Sequence, residues 1–130
     1  MIQKFFIKQH SSYPALKFPL TQRIMEKYDI SENMFENCAI TFSMIDNNGN
    51  YIIANYSADL KISEERYLEP DEVKYSLIYN FTKFDTEISG NYKGEFKIDF
   101  LGDNCGCITF PTEDYIDVRI LGSNVKTTVY

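Results

Sequence analysis

The sequence has no tryptophan, a single histidine and only three cysteines. Three is an odd number and no secretory signal stands near the start, so a disulfide framework is not expected. We therefore expect Cys38, Cys105 and Cys107 to be reduced. No apolar run approaches the ~18 residues that suggest a membrane-spanning helix. These shortages predict a protein that is made in a cytoplasm, stays soluble and has no membrane partner.

Positive charge is also scarce, because 13 basic side chains face 19 acidic ones and the formal net charge is −6. Phosphate backbones attract the opposite sign, so nucleic acid is not an expected partner. The 130 residues fit one domain, and a chain of this size buries roughly two thirds of its unfolded surface without help from a metal. The abundant residues are 10 Tyr and 10 Phe, together with Ile and Val in short runs. This composition favours strands over helices.

From Cys38 onward, apolar residues recur at every second position, which is the period of a β-strand. Asn48-Gly49 separates the first row from a second and predicts a tight antiparallel hairpin. Gly94 interrupts a later row, and a glycine inside a strand commonly marks either a bulge or a close backbone or side-chain approach, so that a neighbouring aromatic ring could lie over it. The rows are Cys38, Ile40, Phe42 and Met44; Tyr51 to Ala54; Ala58, Leu60 and Ile62; Val73, Tyr75, Leu77, Tyr79 and Phe81; Tyr92, Gly94, Phe96, Ile98 and Phe100; Cys107 to Phe110; and Ile116, Val118 and Ile120. About seven short strands at this spacing predict an all-β fold, an antiparallel β-sandwich.

The first 35 residues have a weaker pattern, interrupted by Pro14 and Pro19. We interpret residues 1–35 as an extended N-terminal arm and lead-in, residues 36–122 as the sandwich, and residues 123–130 as a C-terminal tail. A short helix is predicted near the end of the arm, where Leu20, Ile24, Met25 and Tyr28 share one helical face. The tail could be an extra strand or a disordered end, and the sequence does not decide between them.

The arm contains two apolar segments that could each add an edge strand to a sheet. Exposed on an extended arm, they would form a sticky patch that needs a partner. The predicted interface residues are Phe5, Phe6, Ile7, Leu16 and Phe18. On this hypothesis the isolated protein oligomerises or is poorly soluble.

Candidate catalytic and metal-binding residues are few. His10 has no nameable partner for general acid–base catalysis and is expected at the surface. Cys105-Gly106-Cys107 does not have the Cys-x2-4-Cys spacing of structural zinc sites. The stretch from Asp46 to Asn50 is similar to a calcium loop but lacks its distal glutamate, so a hairpin turn explains it better. Further carboxylates belong to Glu69, Asp71, Glu72 and Asp103. We predict no enzyme, no cofactor and no metal.

The order of these strands and motifs, from near Asp29 to Leu121, resembles the immunoglobulin-like N-terminal domain of phage baseplate upper proteins and related tailed-phage virion modules. The matching pieces are Ile40 to Asp46; Asp85-Thr86 after a strand that ends in an aromatic; Gly90, Tyr92 and Glu95-Phe96; Thr109-Phe110-Pro111; and Tyr115 to Val118. The sequence departs from the family in having Tyr79 or Phe81 where relatives often carry tryptophan, and in a longer insertion between Ile62 and Val73. It also shows no long C-terminal fibre segment, which favours an adaptor or decoration role over receptor binding.

This resemblance implies an immunoglobulin-like β-sandwich that serves as a non-enzymatic virion component of the baseplate or tail. Its expected partners are other virion structural proteins, in a homo- or hetero-oligomeric arrangement within the particle. Two alternatives stay open. One is a capsid (head) decoration protein. The other is a carbohydrate-binding module for host attachment, because tyrosine rings can stack on sugars or anchor protein interfaces. The candidate rings are Tyr13, Tyr51, Tyr56, Tyr67 and Tyr115.

Overall fold

The structure is a computed structural model that describes residues 2–62, 75–102 and 106–122. These residues contain nine β-strands, one α-helix and one 3-10 helix. The strands are β1 (Lys4–Lys8), β2 (Leu16–Leu20), β3 (Cys38–Ile45), β4 (Tyr51–Ser57), β5 (Asp59–Ile62), β6 (Tyr75–Tyr79), β7 (Gly90–Phe100), β8 (Gly106–Phe110) and β9 (Ile116–Leu121). Helix α1 spans Gln22–Lys27 and the 3-10 helix spans Glu32–Asn37. The predicted all-β class is confirmed.

The strands form two sheets that enclose one apolar core. The larger sheet has the order β1-β9-β7-β3-β4, and β8 also pairs with β7. The smaller sheet has the order β2-β6-β5. The described strands thus form a two-sheet sandwich, whose order β2-β6-β5 against β9-β7-β3-β4 can be compared with the order B-E-D against G-F-C-C′ of immunoglobulin domains.

The prediction of an extended N-terminal arm requires correction, because β1 and β2 are strands of the sandwich itself. Strand β1 pairs in parallel with β9 at one edge of the larger sheet, and β2 pairs antiparallel with β6 at one edge of the smaller sheet. The expectation that both segments add edge strands is confirmed, but they add them to their own chain. Within the described residues the sandwich therefore begins at β1 and not at residue 36, it has nine strands where about seven were predicted, and one of its pairings is parallel.

The core lies between the sheets and is rich in aromatic rings. Phe42 of β3 stacks on Tyr79 of β6 at 4.6 Å and packs against Phe96 of β7 at 4.9 Å between ring centroids. A Cβ atom built on Gly94 would stand 2.8 Å from Cζ of Phe42. The prediction that an aromatic ring lies over this glycine is confirmed. The fully buried large side chains include Phe42, Phe96, Phe110, Leu16, Leu20, Met44, Ile53, Leu77, Ile98, Ile116 and Val118.

Tyr92, near the start of β7, forms a hydrogen bond of the kind known as a tyrosine corner. Tyr92 is 5% exposed, and its hydroxyl donates to the carbonyl oxygen of Ile88 at 2.6 Å. Immunoglobulin-like domains have such a bond at the turn that leads into strand F, with the tyrosine two residues before the second cysteine of the inter-sheet disulfide. Here Gly94 occupies that second position, and the ring of Phe42 fills the space above it.

The hairpin between β3 and β4 forms as the Asn-Gly sequence predicts. Gly49 has a φ of +81°, and one carboxylate oxygen of Asp46 accepts from the backbone N–H groups of Asn48 and Asn50, both at 2.9 Å. The hydrogen bond from the backbone of Asn50 is the main reason that the pKa of Asp46 lies below its usual value. The carboxylate of Asp46 therefore stabilises the turn.

Two other predicted elements are found with shifted bounds. The helix expected from Leu20 to Tyr28 is α1, whose first turn is capped where the hydroxyl oxygen of Thr21 accepts from the N–H of Ile24 at 3.2 Å. The strand expected from Val73 to Phe81 is β6, with Phe81 buried just beyond its end. Val73, the acidic stretch before it and the predicted tail lie outside the described residues.

Candidate interaction surface

The five residues predicted to bind a partner are not all available to one. Ile7, Leu16 and Phe18 are 2%, 0% and 9% exposed, because they point into the core of their own chain. Phe5 is half-buried and stacks on Phe81, with 5.6 Å between ring centroids. Phe6 is 49% exposed. The prediction of a five-residue interface is therefore wrong for Ile7, Leu16 and Phe18, and Phe6 is the best-exposed member of the set.

Strand alternation explains this division. Successive side chains of a strand point to opposite faces of the sheet, so Phe5 and Ile7 face the core while Phe6 faces outward. The two residues that share the outer face with Phe6 are Lys4 and Lys8, both exposed. The sequence analysis considered only apolar residues of this segment and did not single out these lysines. Their spacing of two from Phe6 could have indicated that they share its face.

The backbone of β1 is hydrogen-bonded on one side only within the described part of the chain. Asp117 donates to the carbonyl oxygen of Gln3 at 2.8 Å, and Gln9 donates to that of Leu121 at 2.7 Å. In a parallel pair the bonding residues alternate, so the odd-numbered residues from Gln3 to Gln9 bond to β9. The even-numbered residues direct their backbone groups away from the sheet. We call Lys4, Phe6 and Lys8, with these outward backbone groups, the β1 edge.

The side chains behind the β1 edge are charged and aromatic. The guanidinium of Arg119 on β9 lies 5.8 Å from the ring centroid of Phe6, and it also forms an ion pair with Asp117 at 3.2 Å. On β7, the ammonium of Lys93 lies 4.7 Å from the ring centroid of Tyr115. Cation–π contacts of this kind stabilise aromatic rings at exposed positions by roughly 0.5–1 kcal/mol.

The neighbouring edge, that of β2, is closed by its own sequence. The side-chain amide of Gln3 donates to the carbonyl oxygen of Lys17 at 2.9 Å, so this carbonyl points away from β6. Pro19, two residues further, has the same orientation and offers no N–H group. Proline at such a position is a common means of blocking an edge strand. The β1 edge has no proline.

The connection from β1 to β2 is tied to the turn between β6 and β7 by hydrogen bonds. Thr86 is fully buried, and its hydroxyl donates to the carbonyl oxygen of Ser11 at 2.7 Å. The N–H of His10 donates to the carbonyl oxygen of Thr86 at 3.0 Å, and the side chain of Gln9 donates to that of Glu87 at 2.7 Å. These bonds hold β1 in place from its C-terminal end.

A buried carboxylate orders the same turn. Asp85 is 6% exposed, and one of its oxygens accepts from the hydroxyl of Tyr79 at 2.7 Å and from the N–H of Thr82 at 2.9 Å. Burial, together with the hydrogen bond to Asp85, raises the pKa of Tyr79 far above its usual value. The Asp85-Thr86 pair, which carries part of the family resemblance, thus stabilises the turn between β6 and β7 in this chain.

The candidate sugar-stacking rings are scattered over several elements. Tyr13, in the connection between β1 and β2, is 84% exposed, and Tyr51 and Tyr56 on β4 are 66% and 50% exposed. Tyr115 is only half-exposed beneath Lys93, and Tyr67 lies outside the described residues. Phe84, which was not among the rings predicted from the sequence, is 83% exposed. It lies in the turn that is hydrogen-bonded to the connection that carries Tyr13.

The remaining predicted candidates are placed separately from one another. His10 is exposed, with a φ of +63°. Cys38 donates to the carbonyl oxygen of Phe35 at 3.5 Å, and burial raises the pKa of its thiol. Cys107 is exposed, and Cys105 lies outside the described residues, as do Glu69, Asp71, Glu72 and Asp103. Residues 2–62, 75–102 and 106–122 hold no group of three or more His, Cys, Asp or Glu side chains arranged to bind a metal ion.

Comparison with other proteins adds no assignment. No protein-family model, curated protein or solved structure matches this chain. Among the described helices, none has the length and hydropathy needed to cross a membrane.

Proposed function

We propose that this chain is a non-enzymatic structural component of a tailed-phage virion, an adaptor of the baseplate or tail that is made in the host cytoplasm. Its partners on this proposal are other virion structural proteins. The resemblance in motif order supports it, and so does the immunoglobulin-like strand order of the fold. The observation that carries the proposal is the β1 edge, a sheet edge that no other described strand covers, with an aromatic side chain, Phe6, 49% exposed at its centre.

An adaptor needs a stiff body and a surface that can hold a second protein. The two packed sheets supply the stiff body. An exposed sheet edge can accept a strand from a neighbour, with affinity from main-chain hydrogen bonds and selectivity from alternate side chains. The position of β1 at the outermost place of the larger sheet supplies such an edge.

Proteomics and cryo-electron microscopy of purified source particles test this proposal. We expect the chain to be present, with density at the baseplate or tail and contact at the β1 edge. Density on the head would replace the adaptor role with capsid decoration. Absence of the chain from every particle would overturn the virion proposal.

A point variant tests the surface more cleanly than deletion of residues 1–20, because that deletion would remove the core strands β1 and β2. We expect Phe6→Ser to lower incorporation into particles. The matched control is Phe84→Ser, which removes an aromatic ring that is also exposed, 83%, but lies in the turn between β6 and β7. Equal incorporation of both variants and the unmodified chain would contradict a role for the β1 edge.

A carbohydrate-binding module is the second candidate, favoured by one observation. The two most exposed aromatic rings of the described residues, Tyr13 and Phe84, lie on segments that are hydrogen-bonded to each other. Aromatic rings supply large, rigid contact area at low entropic cost. A glycan array with the unmodified chain and with Tyr13→Ala decides this candidate. Glycan binding that is lost in the variant supports it, and the absence of any bound glycan rejects it.

A further inference from the structure

We propose that the β1 edge binds an extended segment of a partner protein in which an apolar residue stands between two acidic residues, each two positions away. This inference rests on the proposed adaptor function and names the chemistry of the partner at the same surface. The partner strand adds to the larger sheet next to β1. Its acidic side chains face Lys4 and Lys8, and its apolar side chain packs on Phe6.

The backbone groups of the β1 edge set how the partner strand binds. Lys4 and Phe6 each direct an N–H and a carbonyl outward, and Lys8 directs an N–H outward. The carbonyl of Lys8 accepts from the N–H of Ser11 at 3.2 Å, which ends the edge at this residue. Among the described residues, three donors and two acceptors are thus left without a backbone partner along Lys4–Lys8, enough for one short added strand.

The side chains of the β1 edge set which sequence binds. Residues directly opposite each other on neighbouring strands stand with Cβ atoms about 4.5–5.5 Å apart, and opposite charges there are stabilising. The pattern Lys4, Phe6, Lys8 on one face therefore matches a partner pattern of acidic, apolar and acidic residues on the same face. Arg119 adds a further positive charge next to Phe6.

The outer face that contains the β1 edge has a charge opposite to that of the whole chain. Side chains on β1, β9 and β7 that alternate with buried residues include five basic and three acidic ones. The basic ones are Lys4, Lys8, Lys93, Lys97 and Arg119, and the acidic ones are Glu95, Asp99 and Asp117. The chain as a whole has a formal net charge of −6. A locally basic edge on an acidic protein favours an acidic segment over a basic one.

A second copy of the chain does not fit the same edge. Antiparallel pairing of two β1 strands with the greatest overlap places Phe6 opposite Phe6 of the second copy. Lys4 then stands opposite Lys8 of the second copy, and the converse pair repeats the conflict. Like charges directly opposite each other are destabilising, so the lysines select against self-pairing.

Protection against self-pairing does not by itself account for Phe6. Lysine is a common protective residue on exposed edges, and a polar residue between two lysines would protect better than a phenylalanine. The chain instead has an aromatic ring 49% exposed at the centre of the edge, held against Arg119. Aromatic residues, including phenylalanine, and arginine are enriched at protein interfaces.

A synthetic peptide tests this inference on the full chain. The probe is a fluorescent heptapeptide, threonine-glutamate-valine-phenylalanine-valine-glutamate-threonine, and fluorescence anisotropy measures its binding. The control peptide has lysine in place of both glutamates. We expect the acidic peptide to bind, the lysine peptide not to bind, and added salt to weaken the binding. Lys4→Glu together with Lys8→Glu should weaken it by about tenfold or more.

A pair of substitutions at one position separates the backbone contribution from charge. Lys4→Ala removes the ammonium but keeps the outward N–H, whereas Lys4→Pro removes both. Proline is tolerated as the first residue of a strand, and Lys4 is the first residue of β1. We expect the proline variant to bind the acidic peptide more weakly than the alanine variant, with Lys97→Ala on the same outer face unchanged. Circular dichroism checks that all variants fold.

The outcomes separate this inference from the virion proposal. Equal binding by Lys4→Pro and Lys4→Ala, or equal binding of the acidic and lysine peptides, would overturn the edge inference. A failure of the acidic peptide to bind would overturn it as well, even if the chain is found in particles. Peptide binding by a chain that is absent from every particle would reject the virion role and leave the edge chemistry standing.

Discussion

Phe42 and Gly94 show how a single residue determines packing between two strands of this sandwich. The ring of Phe42 approaches so closely that a Cβ on Gly94 would meet its Cζ at 2.8 Å and its Cε1 at 3.0 Å. The same ring is held by Tyr79 and Phe96, so it has little freedom to shift. The packing of the core therefore requires a residue without a side chain at position 94.

Gly94→Ala should lower the free energy of unfolding by about 1–3 kcal/mol, because the added methyl group overpacks the core. Urea denaturation measures this change. Gly102→Ala is the control, since a Cβ at Gly102 meets no atom of the described residues within 4 Å, and we expect it to change stability by less than about 0.5 kcal/mol. Equal stability of the two variants would contradict the packing argument.

The raised pKa of Tyr79 leads us to expect a loss of stability at alkaline pH. Burial and the hydrogen bond to Asp85 raise the pKa of Tyr79 in the folded chain, whereas an unfolded tyrosine ionises near pH 10. The stabilising contribution is therefore complete below about pH 10 and is lost as the pH rises further. Tyr79→Phe should show a smaller loss of stability between about pH 10 and 11 than the unmodified chain.

Urea midpoints measured from pH 8 to 11 test the Tyr79 prediction. The control is Tyr51→Phe, at a side chain that is 66% exposed; it should keep the alkaline loss of the unmodified chain. An identical pH dependence in Tyr79→Phe and the unmodified chain would rule out Tyr79 as the source.

At the scale of elements, α1 depends on its cap and on its contacts with the rest of the sandwich. It has only six residues and no fully buried side chain, and isolated helices of this length are not stable in water. Tyr28, at its C-terminal end, packs edge-on against Phe110 at 5.8 Å between ring centroids, and its hydroxyl hydrogen-bonds to that of Thr112. Thr21 supplies the N-terminal cap.

Thr21→Ala should lower the free energy of unfolding by about 1 kcal/mol, because the N–H of Ile24 loses its side-chain acceptor. Chemical denaturation measures the loss. Thr21→Ser keeps the hydroxyl oxygen and should retain most of the stability. A serine variant as unstable as the alanine variant would show that the methyl group of Thr21, and not its cap, matters.

At the scale of the whole molecule, the isolated chain should be monomeric, which differs from the expectation drawn from an exposed arm. Three of the five residues that were expected to form a sticky patch are buried in the chain's own core. The one that remains best exposed, Phe6, stands between Lys4 and Lys8, which oppose self-pairing. We therefore expect a monomer in solution, where the sequence alone led us to expect an oligomer or a poorly soluble protein.

Lys8→Glu should convert this monomer into a dimer. In the antiparallel pairing centred on Phe6, the new carboxylate of each copy faces Lys4 of the other, so two repulsive pairs become two attractive ones. Sedimentation velocity of both forms at the same concentration measures the change. Lys97→Glu, which makes the same charge change on the outer face away from β1, should leave the chain monomeric. Dimerisation of both variants, or of neither, would contradict the edge argument.

The sequence by itself determined the local elements of this protein. Alternation of apolar residues placed the strands from Cys38 to Ile120, because a strand with one face in the core must repeat with a period of two. Asn48-Gly49 determined the hairpin, and Gly94 indicated the ring above it, since each is a local demand on backbone conformation or space. These features need no knowledge of which strands become neighbours.

Only the tertiary structure decided what covers each face and edge. The run Phe5-Phe6-Ile7 has two apolar faces in the sequence, and nothing local tells whether its partner is another protein or β9, more than 100 residues away. The same holds for Leu16 and Phe18, whose partner β6 lies about 60 residues further along the chain. Pairing between distant strands depends on loop closure and on the packing of the whole core. For that reason the β1 edge, with Lys4 and Lys8 beside Phe6, became visible only after the sandwich was assembled.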